Sequence, residues 1–488
     1  MTPDPRDPLG LRADAPLLDA WLRFTERAGA GTLRPFTIPG HKQRTDLVGD
    51  VIRGDVPLYA GLDTMKLSDG LLVEAEARAA ALWQVDWCRF STGGATHGNQ
   101  ALALAVGSPG REVVVSRTLH RSMLLGLVLA GLRPVWVSPT LDSGTGLPGG
   151  VDPAVVRAAL AAHPSACAVM VGDPSYVGGC GDVAALATVA HDAGVPLLVD
   201  AAWAAHFGFH PDLPRHALAD GADAVVTSAH KTLPAWSAAA IVLARSSRAG
   251  GLLDPDRLDR AFDATRTTSD SGAALASIDA VRALLAAHGP RLLGRTIDLV
   301  AAARDRLRAV RGVQVVGTDA AGVVDPTKLV VLLAETGAHG HAVEADLLAE
   351  GYPVEMADRD TLIAMVTVAD DATTLTPFLD ALVAAIERHR GPARHLVANA
   401  AWSVDPIVAM SPRDAFFARH ETVGRDLAVG RISAELVCPY PPGVPVLAPG
   451  EVVTAAALAA LSSARADGGR IAYAADPSME TLQVVAAD

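Results

Sequence analysis

Ala222-Asp223-Ala224-Val225-Val226-Thr227-Ser228-Ala229-His230-Lys231 is a short apolar run that ends in a hydroxyl, an imidazole and an amine. An earlier run of the same kind, Val195-Pro196-Leu197-Leu198-Val199, ends in Asp200-Ala201-Ala202-Trp203. Continuously apolar segments of this length, closed by polar residues, read as strands buried on both faces, and such strands belong to parallel sheets. Working outward, the pattern repeats. Strands are predicted at Val113–Val115, Pro134–Val137 and Ala166–Val171, and helices at Val73–Gln84, His97–Val106, His120–Ala130, Pro153–Ala162 and Val183–Ala193. Strand and helix alternate, which predicts an α/β fold whose mainly parallel sheet is covered on both faces.

At 488 residues the chain is too long for one simple core. Residues 1–71 hold a helix, Ala15–Ala28, and a glycine- and proline-punctuated arm; 72–300 form the large domain; 301–390 form a small α/β domain; 391–488 form a C-terminal domain. Long helices are expected around Leu275–Ala302. In the small domain the pattern predicts strands Lys328–Leu333 and Leu362–Val366 and helices His341–Glu350 and Leu375–His389. A linker is expected at Gly391–Asp405, then a closing helix and strand, and no internal repeat is visible.

Composition excludes several classes. A net charge of −13 and a pI near 5.6, with no basic block, argue against nucleic-acid binding. Cys88, Cys167, Cys180 and Cys438 are widely spaced and form no CxxC pair, so neither a zinc cluster nor a disulfide framework is predicted. No apolar run reaches membrane-spanning length, and Met1–Pro8 lacks the basic and apolar regions of a signal peptide. The prediction is a cytoplasmic protein that acts on a small molecule, without nucleic acid or membrane as partner.

Lysine is scarce: only Lys42, Lys66, Lys231 and Lys328 occur, and arginine carries the remaining positive charge. A lysine at the mouth of a buried strand, in a chain that otherwise uses arginine, invites a chemical explanation, because a desolvated amine loses its proton and forms a Schiff base whereas a guanidinium does not. In an open α/β sheet, ligands bind beyond the carboxyl ends of the strands. Lys231, Ser228, His230 and Asp200 all fall at such ends, and His120 opens a helix after another. Gly93-Gly94-Ala95-Thr96 precedes a helix, so its amides and the Thr96 hydroxyl suit an anion. A phosphate cup, an acid, an amine and an imidazole around one crevice are what pyridoxal 5′-phosphate requires. His206 and His210 have a metal-like spacing, but the glycine between them and the lack of a third ligand favour a structural or cofactor-proximal role; no metal site is predicted.

Ordered motifs over most of the chain resemble the fold-type-I, pyridoxal-phosphate-dependent Orn/Lys/Arg decarboxylases, especially their short bacterial form. They are Ile38-Pro39-Gly40-His41-Lys42, Gly61-Leu62-Asp63, Pro174-Ser175-Tyr176, Asp200-Ala201-Ala202-Trp203, Ser228-Ala229-His230-Lys231 and Thr267-Thr268-Ser269. Towards the end follow Gly430-Arg431-Ile432-Ser433-Ala434-Glu435, Tyr440-Pro441-Pro442-Gly443-Val444-Pro445 and Pro449-Gly450-Glu451. The resemblance implies a transferase-like large domain with smaller α+β C-terminal domains, and decarboxylation of arginine, lysine or ornithine through an external aldimine. It implies that Lys231 is the Schiff-base lysine, Asp200 the partner of the pyridine nitrogen and His120 the ring-stacking residue. Gly94, Ala95, Thr96, Ala202, Ser228 and His230 surround the cofactor, and Glu355 lies near the distal end of the substrate. Thr267 and Thr268 reach the phosphate of a neighbouring subunit, making a homodimer the minimum active unit.

Three departures accompany the resemblance. The phosphate loop lacks the usual asparagine and one hydroxyl, Asp200-Ala201-Ala202-Trp203 stands where short members often carry Asp-Glu-Ala-His, and Asp270-Ser271-Gly272 replaces Pro-Ser-Tyr. Other readings remain: an aminotransferase or aldolase-like lyase on the same scaffold, a catalytically silent regulatory homologue, and a merely solvated carboxylate at Glu355.

Overall fold

The computed structural model describes residues 4–56, 62–63, 70–317, 323–396, 404–440, 444–466 and 469–487. Gly61, Lys66 and the Pro441-Pro442-Gly443 turn of the sequence motifs lie outside them. The predicted alternation builds a seven-stranded sheet: β1 (Trp87–Ser91), β2 (Glu112–Ser116), β3 (Arg133–Val137), β4 (Val169–Gly172), β5 (Leu197–Asp200), β6 (Ala224–Ser228) and β7 (Ala240–Ala244), in the order β1-β7-β6-β5-β4-β2-β3. β7 is antiparallel to both neighbours and all other pairings are parallel. β1 and β7 are additions to the sequence reading. Arg89 interrupts the apolar pattern of β1, and only the one-turn helix Ala229–Thr232 separates β7 from β6, so neither fits the alternation of strands with full-length helices.

The period-two geometry of a strand divides the core cleanly. Val114, Val169, Val171, Leu197, Val199, Val225 and Ile241 pack on one face, while Val113, Val115, Met170, Leu198, Val226 and Val242 pack on the other. Helix Gly94–Val106 lies close on that second face because Gly98 has no side chain; a Cβ there would come within 2.7 Å of Val226 Cγ1 and 2.8 Å of Val242 Cγ2.

A single helix, Gly272–Arg308, takes the place of the several long helices expected around Leu275–Ala302, and it runs without a break through residue 300 with Pro290 inside it. Its start explains one departure from the family pattern. Asp270 pairs with Arg266 at 2.8 Å, Ser271 caps the helix, and a Cβ on Gly272 would meet Val56 Cγ2 at 2.8 Å. The second half of the helix packs into the core of a four-stranded sheet, ordered β10-β11-β9-β8: β8 (Gln314–Val315), β9 (Lys328–Leu332), β10 (Met356–Ala357) and β11 (Thr361–Met365). Helices Gly340–Ala349 and Ala372–Arg388 cover it.

The C-terminal region docks on the large sheet through a buried ion pair. Arg117, just past β2, meets Glu451 with Nη2–Oε2 at 2.9 Å, and its guanidinium stacks 4.7 Å from the Trp136 ring centroid. Among the described residues, no helix is long and apolar enough to cross a membrane.

Candidate active site

Because every strand but β7 runs the same way, the carboxyl ends of β1, β2, β4, β5 and β6 meet at one edge, and the chain beyond each of them lines a cleft of about 440 Å³. Gly94, Ala95, Thr96, His120, Asp200, Ala202, Ser228, His230, Lys231 and Glu355 all line it. Thr267 and Thr268 do not; they are exposed on the connection between helices Pro255–Thr265 and Gly272–Arg308. Glu355 is supplied by the segment entering β10 and Val444 by the C-terminal region, so three parts of the chain close the site.

Helix Gly94–Val106 presents its first turn to the cleft, with Gly94 at a φ of 70° that glycine adopts freely. First-turn amides have no intrahelical acceptor, and the positive end of the helix dipole favours an anion. Ser228, at the end of β6, has a buried Oγ with no hydrogen-bond partner. A buried hydroxyl in that state is unfavourable unless a ligand completes it. The donor set therefore fits a phosphate group at this corner.

Asp200 is 7 % exposed and is held from two sides: Asn99 Nδ2 donates to Oδ2 at 2.7 Å, and the Ala202 amide donates to Oδ1 at 3.2 Å. Asn99 also donates to Ser122 Oγ at 2.9 Å, and the Ser122 amide donates to His120 Nδ1 at 3.2 Å. An accepting Nδ1 places the proton of a neutral imidazole on Nε2. Burial holds the His120 pKa below its ordinary value, against the opposing pull of Asp200. His230 donates from Nδ1 to the Ala239 carbonyl at 2.8 Å, which fixes its ring at the cleft wall.

Lys231 occupies the one-turn helix Ala229–Thr232. Burial lowers the pKa of its amine, while the carboxylates of Asp200 and Glu355 oppose that shift. Its Nζ lies 3.8 Å from the centroid of the Trp203 ring.

Three residues with a place here were not singled out in the sequence: Asn99, Trp203 and Lys328. Asn99 lies one helical turn beyond Thr96, so helical spacing from the phosphate loop was its available signal. Trp203 stood inside a quoted motif. Lys328 carried the same signal as Lys231, being one of only four lysines. His206 is buried and bonded to Asp325 Oδ1 (3.3 Å) and Thr327 Oγ1 (3.1 Å), while His210 Nδ1 accepts the Asp212 amide. Among the described residues no group of His, Cys, Asp and Glu could hold a metal, and the four cysteines are free.

The sequence profile of the Orn/Lys/Arg decarboxylase major domain matches residues 34–346, and that of the C-terminal domain of the same family matches 395–466. The chain belongs to the Orn/Lys/Arg decarboxylase family. It is 33% identical to an arginine decarboxylase of Halalkalibacterium halodurans over 92% of this chain and 94% of that protein. An arginine decarboxylase of Bacillus subtilis is 32% identical over 86% of this chain and 88% of its own length. In structure the chain is similar to lysine decarboxylase A of Pseudomonas aeruginosa, with a TM-score of 0.79 at 20% identity, covering 97% of this chain and 81% of that one. The fold is thus the fold-type-I architecture that the family resemblance implied, with the mainly parallel α/β sheet that the sequence pattern predicted.

Proposed function

We propose that this protein decarboxylates a basic L-amino acid, with arginine the favoured substrate and agmatine the product, using pyridoxal 5′-phosphate held on Lys231. The observation that carries this reading is the meeting, at one cleft, of a half-buried amine, a doubly held carboxylate and an unpartnered hydroxyl beside a helix N-terminus. Arginine is favoured by the names of the two relatives above, which span most of both chains.

When bound, the cofactor supplies an electron sink for the pair left on Cα as CO2 departs. The chain's own residues do the rest. The Lys231 amine, desolvated and so more readily unprotonated, is the nucleophile that holds the aldehyde carbon. Asp200, fixed by Asn99 and the Ala202 amide, keeps a proton on the ring nitrogen. The first-turn amides of Gly94 and Ala95, with Thr96, Ser228 and His230, hold the phosphate. His120, at the cleft wall, would stack against the cofactor ring. Glu355 favours a cationic side chain at the far end of the substrate. Once CO2 had left, Lys231 or a nearby histidine would return a proton to Cα.

Two further parts belong to this reading. Thr267 and Thr268, exposed and away from their own cleft, serve the phosphate site of a second copy, so the working unit is a homodimer. The enzyme acts in the cytoplasm, in polyamine biosynthesis, with the chain divided into the four segments 1–71, 72–300, 301–390 and 391–488.

Holoprotein should be yellow, and borohydride followed by peptide mass analysis should fix the cofactor on Lys231. CO2 release should be fastest from arginine when arginine, lysine and ornithine are compared. A protein that stays colourless with added cofactor would overturn the reading, as would amino transfer to a keto acid without CO2 release.

A further inference from the structure

The loop that forms the proposed phosphate corner is tied to a distant segment through one buried carboxylate. Thr92 Oγ1 donates to Asp270 Oδ1, and Arg266 Nε donates to Asp270 Oδ2 at 2.8 Å. The side chains of Asp270 and Arg266 are 1% and 8% exposed, and Arg266 Nη2 is buried with no hydrogen-bond partner among the described residues. None of the three residues lines the cleft, and nothing in the chemistry described above uses them. Burying an ion pair costs desolvation that its own attraction offsets only in part, so the pair calls for a reason other than stability.

The neighbouring chain shows what the pair holds. Helix Pro255–Thr265 ends just before Arg266, and helix Gly272–Arg308 begins two residues after Asp270. Between them lie Thr267, Thr268 and Ser269, all exposed, with the Ser269 amide donating to Thr267 Oγ1 at 3.2 Å. Arg266 and Asp270 therefore clip the base of a three-residue tip. On the other side, Thr92 directly precedes Gly93 and Gly94 of the phosphate loop. A second tie runs in parallel. Ser91 Oγ accepts the Gly93 amide at 3.2 Å and donates to His97 Nδ1 at 2.8 Å, while His97 Nε2 donates to the Phe262 carbonyl at 2.9 Å. Phe262 lies one turn before Arg266, whose guanidinium sits 5.6 Å from its ring centroid. Loop and tip are thus parts of one polar cluster, and Asp270 is the group that bonds towards both.

We propose that Asp270 is a positioning residue for two cofactor sites at once: through Thr92 it sets the phosphate loop of its own copy, and through Arg266 it sets the Thr267-Thr268 tip that serves a second copy. The inference rests on the reading of the working unit as a homodimer with shared phosphate sites. It gives the departure Asp270-Ser271-Gly272 a role, because the ion pair holds the tip where the family carries Pro-Ser-Tyr. A displaced carboxylate moves the donors of one site and those lent to the other together, so the two sites of a dimer are coupled.

Hybrid dimers separate the two effects without a catalytic assay. Copies with different tags are co-expressed and purified in tandem, and Lys231→Ala on one copy leaves a single amine at position 231 for borohydride to trap. Peptide mass analysis then gives the pyridoxal phosphate concentration for half-maximal trapping at that one site. Asp270→Asn keeps the shape of the side chain and removes its charge. It should raise that concentration about tenfold in either arrangement, on the copy that keeps Lys231 (in cis) or on the copy that lacks it (in trans), with the near-ultraviolet circular dichroism retained. Thr92→Val should act in cis only, and Thr267→Ala combined with Thr268→Ala in trans only. An Asp270→Asn defect confined to one arrangement, or absent from both, overturns the proposal. Where Asp270→Asn does not fold, the two single cuts decide: Thr92→Val should weaken trapping in cis and Arg266→Met in trans, and failure of either effect overturns the proposal. Absence of any trans effect from the two threonine changes overturns the shared-site reading, and with it the basis of this inference. A trans effect from them, with an Asp270→Asn defect in cis alone, overturns the role of Asp270 alone.

Discussion

Asn99 Nδ2 stands 2.7 Å from Asp200 Oδ2 and 2.9 Å from Ser122 Oγ, so one buried amide ties the proposed ring-nitrogen partner to the segment that carries His120. The amide comes from helix Gly94–Val106, whose first turn forms the proposed phosphate corner. A shift of that helix would therefore disturb both ends of the cofactor site together.

Hydrogen bonds to charged groups contribute about 1.5–3 kcal/mol. Asn99→Ala should accordingly lower kcat/KM for CO2 release by about 10- to 100-fold, while borohydride still traps the cofactor on Lys231. Steady-state kinetics with the trapping assay check both halves, and a variant of unchanged kcat/KM would show that Asp200 needs no such support.

Ser228→Ala should act in opposite senses on the two forms of the protein. In the apoprotein the hydroxyl has no partner, so its removal should leave the melting temperature equal or slightly higher. With cofactor, a phosphate contact is lost and the affinity should fall about tenfold. Thermal melts with and without pyridoxal phosphate, and an absorbance titration for Kd, read the two effects separately.

Glu76 is 5 % exposed, accepts the Phe90 amide at 2.9 Å and lies 3.7 Å from Arg89. Burial pushes its pKa up to about 7, against the opposing influence of Arg89. A carboxyl group raised in the folded state binds more protons there than in the unfolded chain, so its contribution is complete below the ordinary carboxylate range and is lost as pH rises through about 7. Glu76→Gln should flatten that segment of the stability–pH profile, removing a loss of up to about 3 kcal/mol. Urea unfolding at mildly acidic and at neutral pH tests it.

The Arg117–Glu451 pair, with side chains 5% and 3% exposed, clips the C-terminal region to the large sheet. Glu451→Ala strands a buried guanidinium and should cost about 3–5 kcal/mol. Replacing both partners by methionine should recover part of that loss. Chemical unfolding of the single and double variants measures the coupling, and a double variant as unstable as the sum of the singles would deny it.

The sequence alone determined the alternation of strand and helix and the order of the polar residues that close each strand. Apolar runs and their polar ends are local features, and β5 and β6 end at Asp200 and Ser228 almost as their patterns require. It also determined that Lys231 was unusual, because lysine is rare in this chain. Less was legible in β7, whose reversed direction follows from pairing between β1 and β6 rather than from its own composition. The tertiary structure alone decided which distant segments meet. Glu355 joins the cleft only because the small sheet folds against the large one, and Asn99 reaches Asp200 only because Gly98 lets its helix settle onto β6 and β7. Lys328 joins Lys231 on Trp203 for the same kind of reason. Burial and charge–charge proximity arise from packing between remote parts of the chain, and no local pattern encodes them.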